Sequence, residues 1–430
     1  MSPALTVFII VFVLMFILRM PIPLGMLASS VFYFLVAGTD LKMVAQLTLN
    51  QLFSNFTIIA VPLFIFAANL MNEGEITERV FGFAKGLVGR LPGGLGHVNV
   101  LASLVFSGMT GSAVADASGL GKMEIDAMRK EGYDDGFSCA ITSASACIGP
   151  IFPPSIPMVI YAMLSGASVG ALFMGGMVPG VLLAVALMLY VAFVAHRRGY
   201  PRSGKVGLRN FLIYTLKAIP AILTPVILLL GIYTGIMTPT EAGAVAGLYA
   251  LLVSVLVYRM MGWQKLKRAL VDTISSTGTV SLVVGLAAPI SYIVAKEQIG
   301  TNLGNFVVSL TDNKYLFLFI INLVFLLLGM FIDTNVIQMV FVPIVLPLAT
   351  LLGIDLVHLG VVLCYNMMVG LCTPPFGALL FITSGISGTP LKSVIKETLP
   401  MLVAMIVVLF LITYCPALIT FLPTTFGLMH

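Results

Sequence analysis

The chain has 430 residues, of which 59% are hydrophobic and 9% charged, and its mean hydropathy is +1.10. Soluble domains carry about 25% charged residues, so this composition excludes a water-soluble globular protein. The formal net charge of +5 is gathered in a few loops, which orients a membrane chain and leaves no footprint for nucleic acid.

Residues 4–18 and 21–38 are apolar runs parted by Arg19 and the Pro21/Pro23 pair. With no basic residue before Arg19 and no small-residue cleavage site, the first is expected to be a retained span rather than a removed signal. Residues 57–71 form a third run. From Glu73 to Arg90, charged Glu75, Glu78, Arg79 and Lys85 alternate with Ile76, Val80, Phe81, Phe83, Leu87 and Val88. That mix predicts an amphipathic helix lying on the membrane surface or bracing another element.

Leu95 to Leu120 is apolar but rich in small and polar residues, among them Ser103, Ser107-Gly108-Met109-Thr110-Gly111-Ser112 and Asp116. A charged loop follows from Lys122 to Asp135. Residues 137–148 lead into Gly149-Pro150-Ile151-Phe152-Pro153-Pro154-Ser155-Ile156-Pro157, where the prolines remove donors and clash with the preceding turn. No regular helix fits there. Residues 158–195 are apolar again. Arg197, Arg198, Arg202, Lys205, Arg209 and Lys217 then follow without an acid, which places their loop in the cytoplasm. Runs at 219–236 and 241–258 go out and back, since Arg259, Lys265, Lys267 and Arg268 make the next loop basic too. Further runs fall at 274–295, 315–332, 336–352, 356–369, 378–388 and 399–422. Across roughly 30 Å of hydrocarbon these predict about ten helical spans, and no alternating pattern supports a barrel. The cysteines (139, 147, 364, 372, 415) lack metal or redox spacing and read as small buried hydrophobes.

A second broken stretch, Gly370-Leu371-Cys372-Thr373-Pro374-Pro375-Phe376-Gly377, registers with the first at a constant offset of 221 residues. The same offset maps Gly108-Met109 onto Gly329-Met330, Gly132 onto Gly353, Asp134 onto Asp355 and Pro179 onto Pro400, so the chain holds a duplicated unit. Lys122, Arg129 and Lys130 in the first copy correspond to uncharged Pro343, Thr350 and Leu351 in the second. The copies are therefore expected to face opposite sides, as inverted repeats.

Carbonyls freed by these breaks must be met by water, hydroxyls or a cation such as Na⁺. Ser107, Thr110, Ser143, Ser145, Thr373 and Asp333 are the oxygen donors within sequence reach. The plainer reading, that small residues only let helices pack closely, suits any single glycine but not two matched clusters built around Pro-Pro. Intramembrane ionisable residues are costly and usually functional, which singles out Asp116, Asp333 and Lys296-Glu297. A base near exposed helix N-termini suits an anionic substrate. HExxH and Walker motifs are absent, so the chain is expected not to be an enzyme and to draw on an ion gradient. An ion channel would need a continuous polar path. An intramembrane hydrolase using Ser107 or Ser384 would need a placed histidine or base.

The residues Gly108 to Asp116, Glu131-Gly132-Tyr133, Gly149 to Ser155 and Gly370 to Gly377 resemble the large membrane subunit of tripartite ATP-independent periplasmic (TRAP) transporters over nearly the whole chain. The resemblance implies an all-α polytopic membrane protein of elevator type, with inverted repeats and two re-entrant helical hairpins, in the bacterial inner membrane. It implies Na⁺-driven uptake of an organic acid such as a C4-dicarboxylate or a sialic acid. The partners would be a small four-helix membrane subunit and a periplasmic substrate-binding protein. Carried onto this sequence, sodium contacts fall at Ser107, Thr110, Ser145, Gly149, Pro154, Gly329, Asp333, Gly370 and Thr373. Substrate contacts fall at Ser112, Asp116, Ser168, Lys296 and Asp333. Within one permease, residues 1–92 would be scaffold and arm, and 93–196 the first repeat. Residues 197–272 would be basic loops and scaffold, and 273–430 the second repeat. Gly149–Pro157 is expected to be a hairpin tip.

Overall fold

The computed structural model describes residues 2–18, 20–54, 56–74, 76–203, 207–299, 302 and 313–429, so Arg19, Glu75, Lys205 and His430 lie outside the described residues. Every regular element among the described residues is helical. The N-terminal part runs through α1 (Pro3–Ile17), α2 (Ile22–Val36), α3 (Lys42–Ser54), α4 (Ala60–Glu73) and α5 (Ile76–Val88). The first repeat comprises α6 (Gly94–Thr110), α7 (Ala113–Gly119), α8 (Gly121–Lys130), α9 (Asp135–Ala146), α10 (Ile156–Ser165) and α11 (Val169–Arg198). Then come α12 (Leu208–Tyr233), α13 (Pro239–Leu252) and α14 (Trp263–Lys296). The second repeat holds α15 (Lys314–Gly329), α16 (Thr334–Leu351), α17 (Leu356–Leu371), α18 (Ala378–Ser387) and α19 (Leu391–Tyr414), and α20 (Ala417–Thr425) closes the chain.

Seven of the described helices are long and apolar enough to cross a membrane, fewer than the run lengths predict. The difference arises because some crossings are made by two half-helices in series. Arg198, the last residue of α11, pairs with Asp134 before α9 at 3.0 Å and with Glu397 early in α19 at 2.8 Å. These three helix ends therefore share one end of the molecule, the basic one. Because α11 is 30 residues long, its start lies at the opposite end, about 45 Å away. A three-residue link joins it there to α10. So α9 and α10 together cross from the basic end to the opposite one. The pair α17 and α18 crosses the other way. Tyr161 Oη donates to Leu356 O (2.8 Å) where α17 begins, and Ser387 at the end of α18 lies 3.1 Å from Cys139 Sγ near the start of α9.

The elements before each crossing turn back instead. Leu95 N, at the start of α6, donates to Tyr133 Oη just beyond α8 (3.2 Å), so α6–α8 is a hairpin based at the basic end. Tyr315, starting α15, packs its ring at a tilt against Tyr414 at the end of α19 (6.1 Å between centroids), and α16 leads directly to α17. Hairpin α15–α16 is thus based at the opposite end, and the two repeats are inverted.

One expectation needs correction. Gly149–Pro157 is not a hairpin tip but the unwound joint within a crossing pair, and 372–377 is its counterpart. The reversals lie at Gly111–Ser112 and at Met330–Asp333. In the first copy the reversal uses Gly111 at φ +59°, a left-handed conformation that the proline motif lacks. After the prolines, Ser155 restarts the helix by accepting from Met158 N (3.3 Å) and donating to Pro150 O.

The predicted amphipathic segment is α5, which buries Ile76, Val80 and Ala84 and lays Arg79 over the Tyr258 ring at 4.0 Å. At the basic end Tyr200 Oη donates to Asp134 Oδ2 (2.5 Å), and burial beside that carboxylate raises the phenol above its ordinary range. Cysteines placed singly at positions 130 and 351, in a Cys415→Ser background, are expected to react with an impermeant maleimide from opposite sides of the membrane. Both native residues are exposed and lie at the bases of the two hairpins. Labelling from the same side would refute the inversion.

Candidate functional site

Each hairpin tip rests on the helix joint of its own repeat. At the first tip, Gly111 donates to Ser107 O (3.3 Å), and Ser112 caps α7 by accepting from Ala115 N (3.4 Å). A Cβ on Gly111 would stand 2.5 Å from Pro154 O, and one on Gly149 would stand 3.4 Å from the Ser112 carbonyl. Backbone meets backbone here, which is why glycine is required. The second tip repeats the pattern: a Cβ on Gly370 would fall 2.7 Å from Gly329 Cα, and the Phe331 and Phe376 rings pack at a tilt with centroids 5.3 Å apart. The two joints also meet each other. Cys147 Sγ is 3.1 Å from Met368 O and 3.3 Å from Cys372 Sγ. Cys147 and Met368 are equivalent residues of the two repeats, so this contact lies on the internal two-fold axis.

Between the tips and the N-terminal helices lies a cavity of about 200 Å³. Thr110 and Ser112 line it from the first tip, Asp333 and Asn335 from the second, and Asn69 of α4 and Ser276 of α14 from the facing wall. Asp333 caps α16 by accepting from Asn335 N (2.9 Å), and its side chain is exposed to the cavity. Thr110 Oγ1, Thr334 Oγ1 and Asn335 Oδ1 have no hydrogen-bond partner among the described residues. Buried polar atoms are rarely left so, and their convergence marks a place where ligand, ion or water completes the bonding.

Of the expected sodium contacts, Thr110, Gly149, Pro154, Gly329, Asp333 and Gly370 are gathered around the tips. Ser107 and Thr373 are close by, but their hydroxyls already donate within their own helices, to Leu104 O (2.6 Å) and Val369 O (2.7 Å). Those hydroxyl oxygens keep lone pairs with which to accept, whereas both carbonyls already accept a backbone amide, from Gly111 (3.3 Å) and Gly377 (3.0 Å). Ser145 faces away from the tip and donates to Asn99 Oδ1 at 2.7 Å.

Of the expected substrate contacts, Ser112 and Asp333 line the cavity, and Asp116, Ser168 and Lys296 do not. Lys296 ends α14, donating to Thr39 Oγ1 (3.3 Å) near the Tyr33 and Tyr292 rings. Ser276 and Val280 are the α14 residues on the cavity wall, and the helical rise puts Lys296 about 24 Å beyond Val280. Ser168 caps α11 by accepting from Ala171 N (3.3 Å). It sits in a Gly166-Ala167-Ser168-Val169-Gly170 pattern, which joins two helices here and not the strand and helix of a nucleophile elbow. Asp116 is 1% exposed and lies inside the hairpin. Asn69, Ser276, Thr334 and Asn335 were not singled out from sequence. The one available signal was a polar residue inside an otherwise apolar run, as Asn69 is within 57–71.

Residues 8–418 match the family described as tripartite ATP-independent periplasmic transporter, DctM component. Among named relatives, the chain is similar to the sialic acid TRAP transporter large permease protein SiaM of Vibrio cholerae, with 41% identity over 95% of each chain. It is also similar to the C4-dicarboxylate TRAP transporter large permease protein DctM of Pseudomonas aeruginosa, with 36% identity over 87% of this chain and 88% of that one. Its fold resembles the crystal structure of the Alcanivorax borkumensis YdaH transporter, with a TM-score of 0.63 at 13% identity over 88% and 89% of the two chains.

Proposed function

The chain belongs to the DctM component family of tripartite ATP-independent periplasmic transporters, and on that premise we propose that it imports an organic acid anion of the sialic acid or C4-dicarboxylate type, driven by Na⁺. A family member is a multi-pass inner-membrane permease and not an enzyme. In this reading a periplasmic binding protein delivers the solute, and a small four-helix membrane subunit braces the N-terminal helices. The repeats with their re-entrant hairpins form a moving body, and α4 and α14 belong to the fixed wall.

The observation that carries the reading is the convergence of both tips on one cavity with unpartnered oxygens. Sodium would sit where each tip meets its joint, held by backbone oxygens such as that of Pro154 together with Thr110 Oγ1 at the first. An anion in the cavity would be met by the N-terminus of α16 and the amides and hydroxyls of Asn69, Ser112 and Ser276. Asp333 would repel a carboxylate unless a cation stands between them, so ion binding would precede solute binding. That order is the physical basis of coupling.

The test uses the permease with its partner subunits in proteoliposomes. Uptake of a radiolabelled acid is expected to disappear when external Na⁺ is replaced by K⁺. Uptake that proceeds equally in K⁺ removes sodium from the reading.

A further inference from the structure

Hairpin α6–α8 encloses two acids that the cavity does not use. Asp116 and Glu124 are each 1% exposed, and among the described residues none of their carboxylate oxygens has a partner in good hydrogen-bond geometry. Leu120 N donates to Asp116 O and Glu124 N donates to Leu120 O, so α7 and α8 run on as one helix with both acids on one face. Near Glu124 that helix is turned toward α9, since a Cβ on Gly121 would lie 3.0 Å from Thr142 Cγ2, and Asp116 faces Ser103 of α6.

The polar groups there are committed to one another. The Ser103 hydroxyl is shared between Asp116, which it faces, and Ser145 Oγ at 3.2 Å. Asn99 Nδ2 donates to Thr142 Oγ1 (2.7 Å), which in turn donates to Ser138 O (2.8 Å). No cation offsets the acids among the described residues. On α6 the titratable group is His97, turned to Pro92 O (3.1 Å). On α9 they are Cys139 and Asp135, the latter paired with Arg129 at 2.6 Å, and Cys147 follows the helix directly. On α4, Glu73 lies 3.9 Å from Arg268, and α18 carries no titratable group. On their own helix, Lys122 and Lys130 are exposed and Asp126 pairs with Arg129 at 3.9 Å.

An ionised carboxylate in such a place, with only a shared serine hydroxyl beside one of the pair and no counter-charge among the described residues, is costly, and two cost more. Neutralising them removes that cost. A bound proton does so with no further ligand, whereas Na⁺ needs a cage of oxygens. We propose that Asp116 and Glu124 are a proton-binding site built into the first hairpin, separate from the cavity and from the tip. Its consequence for uptake rests on the transport reading above, but the site itself does not.

The test reads the purified permease in detergent, without transport. N,N′-dicyclohexylcarbodiimide adds across the O–H of a protonated carboxyl in an apolar site and rearranges to a stable acylurea that peptide mass spectrometry locates. Adducts are expected at Asp116 and Glu124, declining at least about tenfold between about pH 6 and about pH 9. They are expected to be unchanged when NaCl replaces choline chloride. Protection by Na⁺ at fixed pH would make this a sodium site and overturn the proposal, as would no adduct at either residue throughout. Glu124→Gln, a neutral isostere, is expected to melt at or above the temperature of the parent at about pH 8.5. A melting temperature lowered at every pH would mean that the carboxylate is needed in charged form, which also overturns it.

Discussion

Gly370→Ala is expected to reduce uptake to background while the protein still reaches the membrane. Two effects of the added methyl oppose each other. Alanine favours a helix over glycine by about 1 kcal/mol, and Gly370 lies in the last turn of α17. Against that, the new Cβ would stand 2.7 Å from Gly329 Cα and its carbonyl carbon, both backbone atoms that no side-chain rotation can move. Overpacking typically costs about 1–3 kcal/mol, and relief here requires the second tip to lift from its joint. The clash wins. Gly385→Ala serves as the control, because nothing lies within 4 Å of a Cβ there. It is expected to leave uptake within about twofold, as surface substitutions usually do. Equal activity in the two variants would mean that contact between tip and joint is not needed for transport.

The same contact shows what could be read from the sequence. The constant offset paired Gly329 with Gly108 and Gly370 with Gly149, and Gly329, Gly370 and Gly149 do lie at backbone crossings, whereas a Cβ on Gly108 would meet the Pro225 side chain at 2.9 Å. Breaks were legible because proline and glycine act locally, on the turn that contains them. Reversal of direction was not. A hairpin and a pair of half-helices in series have the same apolar composition, and the feature that separates them is a contact such as Leu95 N to Tyr133 Oη, between residues far apart in sequence. The proline motifs were therefore expected as tips when they are joints.

Charge was legible to a similar degree. Basic loops identified one end of the molecule, and Arg198 shows why that end holds together, because it ties α9, α11 and α19 through two acids. The depth of an ionisable residue was harder to read. Lys296 and Asp116 both looked intramembrane, yet one sits on the last turn of a 34-residue helix and the other is sealed inside a hairpin. Depth depends on how far a helix projects and which face it buries, and neither follows from a lone charge in an apolar run.

Asp333 is where charge and placement agree, and Asp333→Asn is expected to lower uptake more than about tenfold without unfolding the protein. The substitution separates two roles. As the cap of α16, the side chain accepts a hydrogen bond from Asn335 N at 2.9 Å, and asparagine caps a helix about as well as aspartate. Expression and melting temperature should therefore hold. What is lost is the negative charge on the cavity wall, the only formal charge among the described residues that line it. The loss should appear first in sodium dependence: the Na⁺ concentration for half-maximal uptake rises, and saturating Na⁺ restores part of the rate. Lys296→Ala and Ser168→Ala supply the contrast. Both residues came from the same sequence reading, but the structure places them off the cavity, so each is expected to leave the Na⁺ and solute dependences within about twofold of the parent. If Lys296→Ala weakens solute binding as Asp333→Asn weakens sodium, the cavity between the tips is not where the anion binds.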